Sequence, residues 1–337
     1  MQKTRYVLYW LYLSAFMVFA MAVIGAITRL TESGLSITEW KPLIGALPPM
    51  NDAEWMRVFD LYRQTPEYIH KNAGMTMDEF KTIFFWEWFH RLWGRLIGIV
   101  YAVPMIYFWV CGYIPAGFRS KLLGLLLLGG LQGFMGWYMV QSGLVDRPSV
   151  SHYRLAMHLS LAAIIYGAIL AVAFDLRRKY LLPVTGAAVR SRCIRHHGVL
   201  SLFMVAVTII WGAFVAGLDA GLIYNEFPMM GAGVVPYELT HSILPLWIRF
   251  VEDHAVVQFT HRVLAVITAC VVIAYAVRVR SLCLALAVLA QVSLGIATLL
   301  SGVDIRLAAL HQAGAFIVVA LLLRSFYFFG RGGKLFM

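Results

Sequence analysis

Long apolar runs separated by short polar segments organise this chain. Runs long enough to span a bilayer occur at roughly 8–28, 83–110, 121–141, 153–174, 198–217, 254–277, 281–301 and 307–329. Each meets the requirement of about 20 residues for a helix that crosses the hydrocarbon. A spanning segment must satisfy its own backbone hydrogen bonds, so each run predicts a helix. The first run lacks a small-residue cleavage site and is expected to stay in place as a span. The pattern therefore predicts an all-α polytopic membrane protein with eight transmembrane helices.

An even number of spans puts both termini on one side. Lys3, Arg5, Arg119, Lys121, Arg177, Arg178, Lys179, Arg190, Arg192, Arg195, Arg278, Arg280, Arg331 and Lys334 all fall on that side. The opposite side carries Glu32, Glu39, Asp219, Glu226, Glu252, Asp253 and Asp304. The positive-inside rule then predicts a multi-pass protein of the bacterial inner membrane with both termini cytoplasmic.

Composition agrees: 61% of the 337 residues are hydrophobic and 13% charged, with a mean hydropathy of +0.76, against about 45–50% and about 25% in soluble domains. The net charge of +11 belongs to the loops of one face and does not point to a nucleic-acid partner. Cys111, Cys193, Cys270 and Cys283 show no CxxC spacing and lie toward the cytoplasmic side, where a disulfide is not expected.

The chain divides into two similar halves. Gly25-Ala26 parallels Gly212-Ala213, and Gly34-Leu35 with Glu39 parallels Gly221-Leu222 with Glu226. Gln132…Gly136…Ser142-Gly143 parallels Gln291…Gly295…Ser301-Gly302. Both halves enter and leave the membrane in the same sense, which predicts a parallel repeat. The expected organisation is an N-terminal four-helix bundle over 1–175, a cytoplasmic linker over 176–197 and a C-terminal four-helix bundle over 198–337. The halves differ most in the first outer loop, 29–82, whose stretch from Asp52 to Lys81 is expected to be partly helical.

Histidines carry the candidate chemistry. His90 lies in Glu87-Trp88-Phe89-His90-Arg91 and His261 in Gln258-Phe259-Thr260-His261-Arg262. His158 and His311 follow one to two spans later, so each half holds a pair on its even-numbered helices. A histidine inside a hydrocarbon-spanning helix is costly and points to function. Two imidazoles facing across a bundle provide the axial ligands of a b-type haem. Zinc would instead want ligands gathered tetrahedrally, with Cys or carboxylate among them. Small residues on the intervening helices could leave room for a ring or serve close helix packing. Arg91 and Arg262 could pair with haem propionates or snorkel to lipid phosphate. His70, His152, His196, His197, His241 and His254 are accounted for by solvated or interfacial roles. Glu87 shares a helix face with His90, and the second half has Gln258 at that place. A carboxylate can exchange protons where an amide cannot; Glu87 could equally be a hydrogen-bond partner at the interface.

Several motifs resemble haem A synthase. They are Thr28-Arg29-Leu30-Thr31-Glu32-Ser33-Gly34-Leu35-Ser36 with Trp40-Lys41-Pro42, the Glu87-x-x-His90-Arg91-x-x-Gly94-Arg95 segment, and Gly136-Trp137-Tyr138-Met139-Val140-x-Ser142-Gly143-Leu144. Tyr153-Arg154-Leu155-Ala156-x-His158-Leu159, Gln258-Phe259-x-His261-Arg262 and His311-Gln312 complete the likeness. The resemblance implies an eight-helix enzyme that oxidises the C8 methyl group of haem O to a formyl group, giving haem A for terminal oxidases. It implies that His261 and His311 ligate a haem b cofactor, that His90 and His158 face the substrate haem, and that Glu87 is the catalytic acid/base. It further implies an electron donor of unidentified nature, surrounding membrane lipid, haem O synthase (a protohaem farnesyltransferase) as a candidate partner, and a candidate homo-oligomer. The loop 29–82 has no cysteine, so the chain resembles the cysteine-free class of proteobacteria and mitochondria. The alternative expectation is a diheme b-type electron carrier without catalysis; a haem transporter or chaperone is a third.

Overall fold

The computed structural model describes residues 2–39, 44–146, 150–182 and 192–328. Trp40, Lys41, Pro42, Arg190, Arg331 and Lys334 from the sequence argument lie outside these residues. Eight helices among the described residues are long and apolar enough to cross a membrane. They are α1 (Gln2–Leu30), α4 (Met77–Val110), α5 (Arg119–Asp146), α6 (His152–Tyr180), α7 (Arg192–Gly217), α10 (His254–Arg278), α11 (Leu282–Leu300) and α12 (Ile305–Phe328). Shorter helices α2 (Asp52–Tyr62), α3 (Pro66–His70), α8 (Glu238–His241) and α9 (Leu246–Glu252) lie in the two long loops of the opposite face. No strand is present among the described residues.

Local sequence sets the helix ends. Thr76 and Glu79 form a reciprocal capping box that starts α4. As a result α4 begins six residues before the apolar run at 83, and its first turns stand in the loop layer. Asp253 caps α10 by accepting from the amides of Ala255 and Val256. Arg177, Arg178 and Lys179 close α6 and Arg278 closes α10, where cations complement the negative end of the helix dipole.

Helix neighbours follow the chain. α1 packs on α4 and α6, α4 on α5, and α5 on α6. In the second half α7 packs on α10 and α12, α10 on α11, and α11 on α12. The halves meet where α6 lies against α7 and α12, and where α1 lies against α12. Two polar ties reinforce that seam. Gln312 Nε2 donates to the carbonyl of Ala22 at 2.5 Å, and Arg29 pairs with Asp219 at 2.8 Å. The seam is also tight at Gly217, where an added Cβ would stand 2.5 Å from His152 Cβ and 2.7 Å from its Cα.

The main hydrophobic core is not spread evenly through the membrane. Leu11, Leu122, Ala173, Leu176, Val272, Tyr275, Leu284 and Leu322 are almost fully buried within it, and all lie in the halves of their helices nearer the basic face. The candidate histidines lie in the other half. Above them sits a second cluster of Phe59, Tyr62, Phe80, Ile83 and Phe84, built from α2 and the projecting start of α4. The stretch from Asp52 is therefore helical in part, as its sequence suggests.

Glu67 is buried in that loop layer and accepts a hydrogen bond from Tyr62 Oη at 3.2 Å. Burial, and then the negative charge of Glu87, push its carboxyl up to about 8. A carboxyl raised on folding binds its proton more tightly in the native state. The loop layer therefore loses stability as pH rises from the ordinary carboxyl range through about 8. Amide exchange over α2 and α3 should accelerate across that interval, and Glu67→Gln should flatten the response. Gly217→Ala should lower the unfolding temperature in detergent through a clash costing about 1–3 kcal/mol. Gly133→Ala, which meets nothing within 4 Å, serves as the silent control.

Candidate functional site

Each of the four repeat histidines rests against a glycine of a neighbouring helix. Gly25 of α1 meets His90, with a would-be Cβ 3.5 Å from Nε2. Gly212 of α7, its counterpart, meets His261 at 3.1 Å from Cε1. Gly136 of α5 meets His158 at 3.2 Å, and Gly295 of α11 meets His311 at 2.8 Å, both at Cε1. A methyl group at 212, 136 or 295 would press on the imidazole; at 25 it would only touch. These glycines let neighbouring backbone approach the rings, whereas Gly124, Gly129, Gly130 and Gly133 of α5 meet nothing within 4 Å.

The imidazoles come in pairs. His90 and His158 lie within each other's electrostatic reach, as do His261 and His311. His261 Nδ1 is buried with no hydrogen-bond partner among the described residues. The second histidine of each half also meets a glutamine one turn before the glycine. Gln132 Nε2 lies 3.3 and 3.2 Å from the two ring nitrogens of His158 and donates to its backbone carbonyl at 3.1 Å. Gln291 Nε2 lies 3.2 Å from His311 Nδ1 and donates to that residue's carbonyl at 2.8 Å. The Gln-x-x-x-Gly spacing is visible in the sequence as a repeat, but only the fold shows that it surrounds a histidine.

Distance from the helix start differs for one of the four histidines. His158, His261 and His311 lie about two turns into their helices, whereas His90 lies more than three turns past Met77. The projecting start of α4 accounts for the difference.

Glu87 is buried and fully engaged. Its Oε2 accepts from Ser36 Oγ and from the amide of Ile37, both at 2.7 Å, and its Oε1 pairs with Arg91 at 2.6 Å. Arg91 also donates to the carbonyl of Ile37 at 2.9 Å. The second half repeats the device with one polarity reversed. Gln258 Nε2 donates to the carbonyl of Tyr224 at 3.1 Å, and Arg262 donates to the same carbonyl at 3.0 Å and to Gln258 Oε1 at 3.2 Å. Glu87 and Gln258 thus pin the loop that follows the preceding span. Arg91 and Arg262 turn toward these loops, not outward to lipid phosphate.

His152 needs correction. A solvated or interfacial role does not describe it: the ring is buried beside Phe214 and Gly217, 3.8 Å from Glu252. No sequence signal marks this, because its burial comes from α7 crossing the start of α6.

The donor set suits a porphyrin iron better than a bare ion. A haem takes two axial imidazoles across a flat ring, and each half offers two. Among the described residues no group of three or more His, Cys, Asp or Glu is gathered to hold a metal ion. Comparison with known proteins points the same way. The profile of the COX15-CtaA family, described as a cytochrome oxidase assembly protein, matches residues 8–323. A protein of Rhodospirillum centenum named heme A synthase is 52% identical over 324 residues, covering 93% of this chain and 85% of the relative. This chain belongs to the haem A synthase family. A second relative so named, from Maricaulis maris, is 46% identical with 94% of each chain covered, and one from Parvibaculum lavamentivorans is 46% identical over 92% of this chain and 90% of its own. The family match, over residues 8–323, spans the stretches that hold both histidine pairs and both loop anchors.

The anchor predicts a local effect. Arg262→Ala removes donors to the carbonyls of Met229 and Tyr224 and to Gln258. Amide exchange across 224–230 should quicken while α10 and α12 keep their protection; unchanged exchange in the loop would show that the guanidinium holds nothing there.

Proposed function

We propose that this chain oxidises the C8 methyl group of haem O to a formyl group, giving haem A for terminal oxidases. The observation that carries the reading is the duplicated pair of imidazoles, each set against a glycine, with a carboxylate beside one pair and an amide beside the other. The N-terminal unit, 1–175, would receive the substrate haem between His90 and His158. The C-terminal unit, 198–337, would hold resident haem b between His261 and His311, with 176–197 as the linker. Haem b bound there supplies one-electron redox chemistry. The membrane would be the bacterial inner membrane with both termini cytoplasmic, because the basic loops lie on that face. Haem O synthase, an electron donor and a second copy of the chain are the candidate partners.

The residues divide the work. Taking a methyl group to a formyl group breaks two C–H bonds, adds one oxygen atom and removes four electrons. With water as the oxygen source, the methyl compound and water give the aldehyde, four protons and four electrons. The step therefore needs a redox partner outside the chain to take the electrons, and groups that take up protons. Glu87 is the carboxylate nearest in sequence and on the same helix face as His90, so it is assigned the acid/base role. Ser36, Ile37 and Arg91 hold its two oxygens in fixed directions. Such pre-orientation removes the cost of arranging the base at each turnover. Arg91 and Arg262 stand at the outer ends of their sites, where guanidinium groups suit the propionates.

Pyridine-haemochrome analysis of the purified protein tests this. Haem A or its hydroxylated precursor should accompany the unaltered chain, whereas haem b alone at two per chain would favour a diheme electron carrier. His261→Ala and His311→Ala should each lose most of the b-type absorbance, and His90→Ala should spare it. Glu87→Gln should keep haem b and lose haem A formation by about 10²-fold or more. Normal haem A output from that variant would remove Glu87 from the chemistry.

A further inference from the structure

Three carboxylates are buried among the described residues: Glu67, Glu87 and Asp175. Glu87 is met by Arg91, and Asp175 by Lys121, Arg178 and Lys179. Glu67 makes no ion pair among the described residues, and Lys71 beside its helix is engaged with Glu32 at 2.9 Å. Burying a carboxylate without a paired cation is costly. An acid kept at such a place calls for a use.

Its surroundings supply one. The cluster of Phe59, Tyr62, Phe80, Ile83 and Phe84 packs on Ile37 and Trp88. Both adjoin Glu87: the amide of Ile37 holds its Oε2, and Trp88 follows it in α4. Glu67 accepts from Tyr62 Oη of that cluster, so it is an acid set in the apolar cover of the Glu87 site. On the other side of the same phenol, Asn72 Nδ2 donates to Tyr62 Oη at 2.7 Å. Asn72 in turn lines a surface cavity of about 290 Å³ with Gly74, Met75 and Glu79. Glu67 thus lies between a buried carboxylate and water. The groups that act on it electrostatically are Glu87 of α4, Tyr62 of α2, Glu32 of the loop after α1, and Lys71. Burial, and then the Glu87 charge, hold its carboxyl at about 8. Both of its forms are therefore populated near neutrality, which suits a group that must take a proton and release it.

We propose that Glu67 passes protons between Glu87 and the water outside the loop layer. It is a positioning residue that acts through Glu87. Glu87 hands to the Glu67 carboxylate the proton it has taken from the site, and Glu67 hands that proton to water at the Asn72 cavity. No electron moves in either step. The inference rests on the acid/base role proposed for Glu87.

The test uses the full-length chain with its resident haem b, supplied with haem O. Haem A formation is followed against pH in the unaltered protein, Glu67→Gln and Glu87→Gln, with amide exchange over α2 and α3 as the measure of folding. Gln keeps an acceptor for Tyr62 and has the shape of the neutral acid, so the loop layer should stay folded. A purely structural acid predicts that Glu67→Gln keeps full haem A formation and extends it above about pH 8, where the unaltered layer loosens. A proton carrier predicts the opposite. Formation should fall about tenfold at every pH, less than the loss in Glu87→Gln, and a small weak acid added to the medium should restore part of it. Independently of activity, the infrared carboxyl band that Glu67→Gln removes should titrate at lower pH in Glu87→Gln, because a negative charge beside it has gone. Should Glu67→Gln fail to fold, the shift of the α2 and α3 exchange interval to lower pH in Glu87→Gln decides alone, and an unmoved interval overturns the coupling. Full haem A formation in Glu67→Gln, with loss in Glu87→Gln, would overturn this inference and leave Glu87 its role. Full formation in both would overturn the role of Glu87, and this inference with it.

Discussion

The contact on which the site depends is an imidazole edge laid against a glycine of the neighbouring helix. In hydrocarbon a histidine gains nothing from solvent, so its orientation is decided by what the adjacent helix permits. Gly295 permits an approach that a side chain would block, Gly136 and Gly212 permit approaches that a side chain would crowd, and Gly25 completes the set of four. Because the rings are pressed against backbone, their freedom to turn is small. Fixed rings are what two-point ligation of a flat group requires.

This arrangement explains why the packing is uneven. The buried core lies toward the basic face, where Leu122, Tyr275, Leu284 and Leu322 are sealed. Close packing there helps hold the helices in register. The other half of the bundle is then free to carry polar residues. The seam between halves is fixed by the Gln312–Ala22 and Arg29–Asp219 ties and by the Gly217–His152 contact. The relative position of the two histidine pairs is therefore set by protein contacts.

Much of this was readable in the chain. The eight spans follow from apolar length, because lipid leaves helices as the only solution for such runs. The repeat and the four histidines follow from spacing. Three features did not show. The projecting start of α4 depends on a capping box, Thr76 with Glu79, that lies outside the apolar run. The burial of His152 depends on which helix crosses it. The contacts of Gln132 and Gln291 with their histidines depend on rotation between helices, which apolar spans leave undefined, since they carry little amphipathic pattern to orient them. Glu87 was legible as chemistry through its contrast with Gln258, but its place as a loop anchor was not. That place requires the loop after α1 to fold back onto α4.

The contrast between the halves also has an electrostatic side. Arg91 is neutralised by Glu87 at 2.6 Å. Arg262 hydrogen-bonds carbonyl and amide oxygens, with the Glu226 carboxylate in its electrostatic surroundings. The two sites therefore differ in how the arginine is met: by a directly bonded carboxylate in the first half, and by neutral oxygens in the second. A surplus cation favours lasting retention of an anionic propionate, whereas a neutral pair holds it less firmly. On the proposed division of labour, that difference would suit a resident cofactor in the second half and a passing substrate in the first.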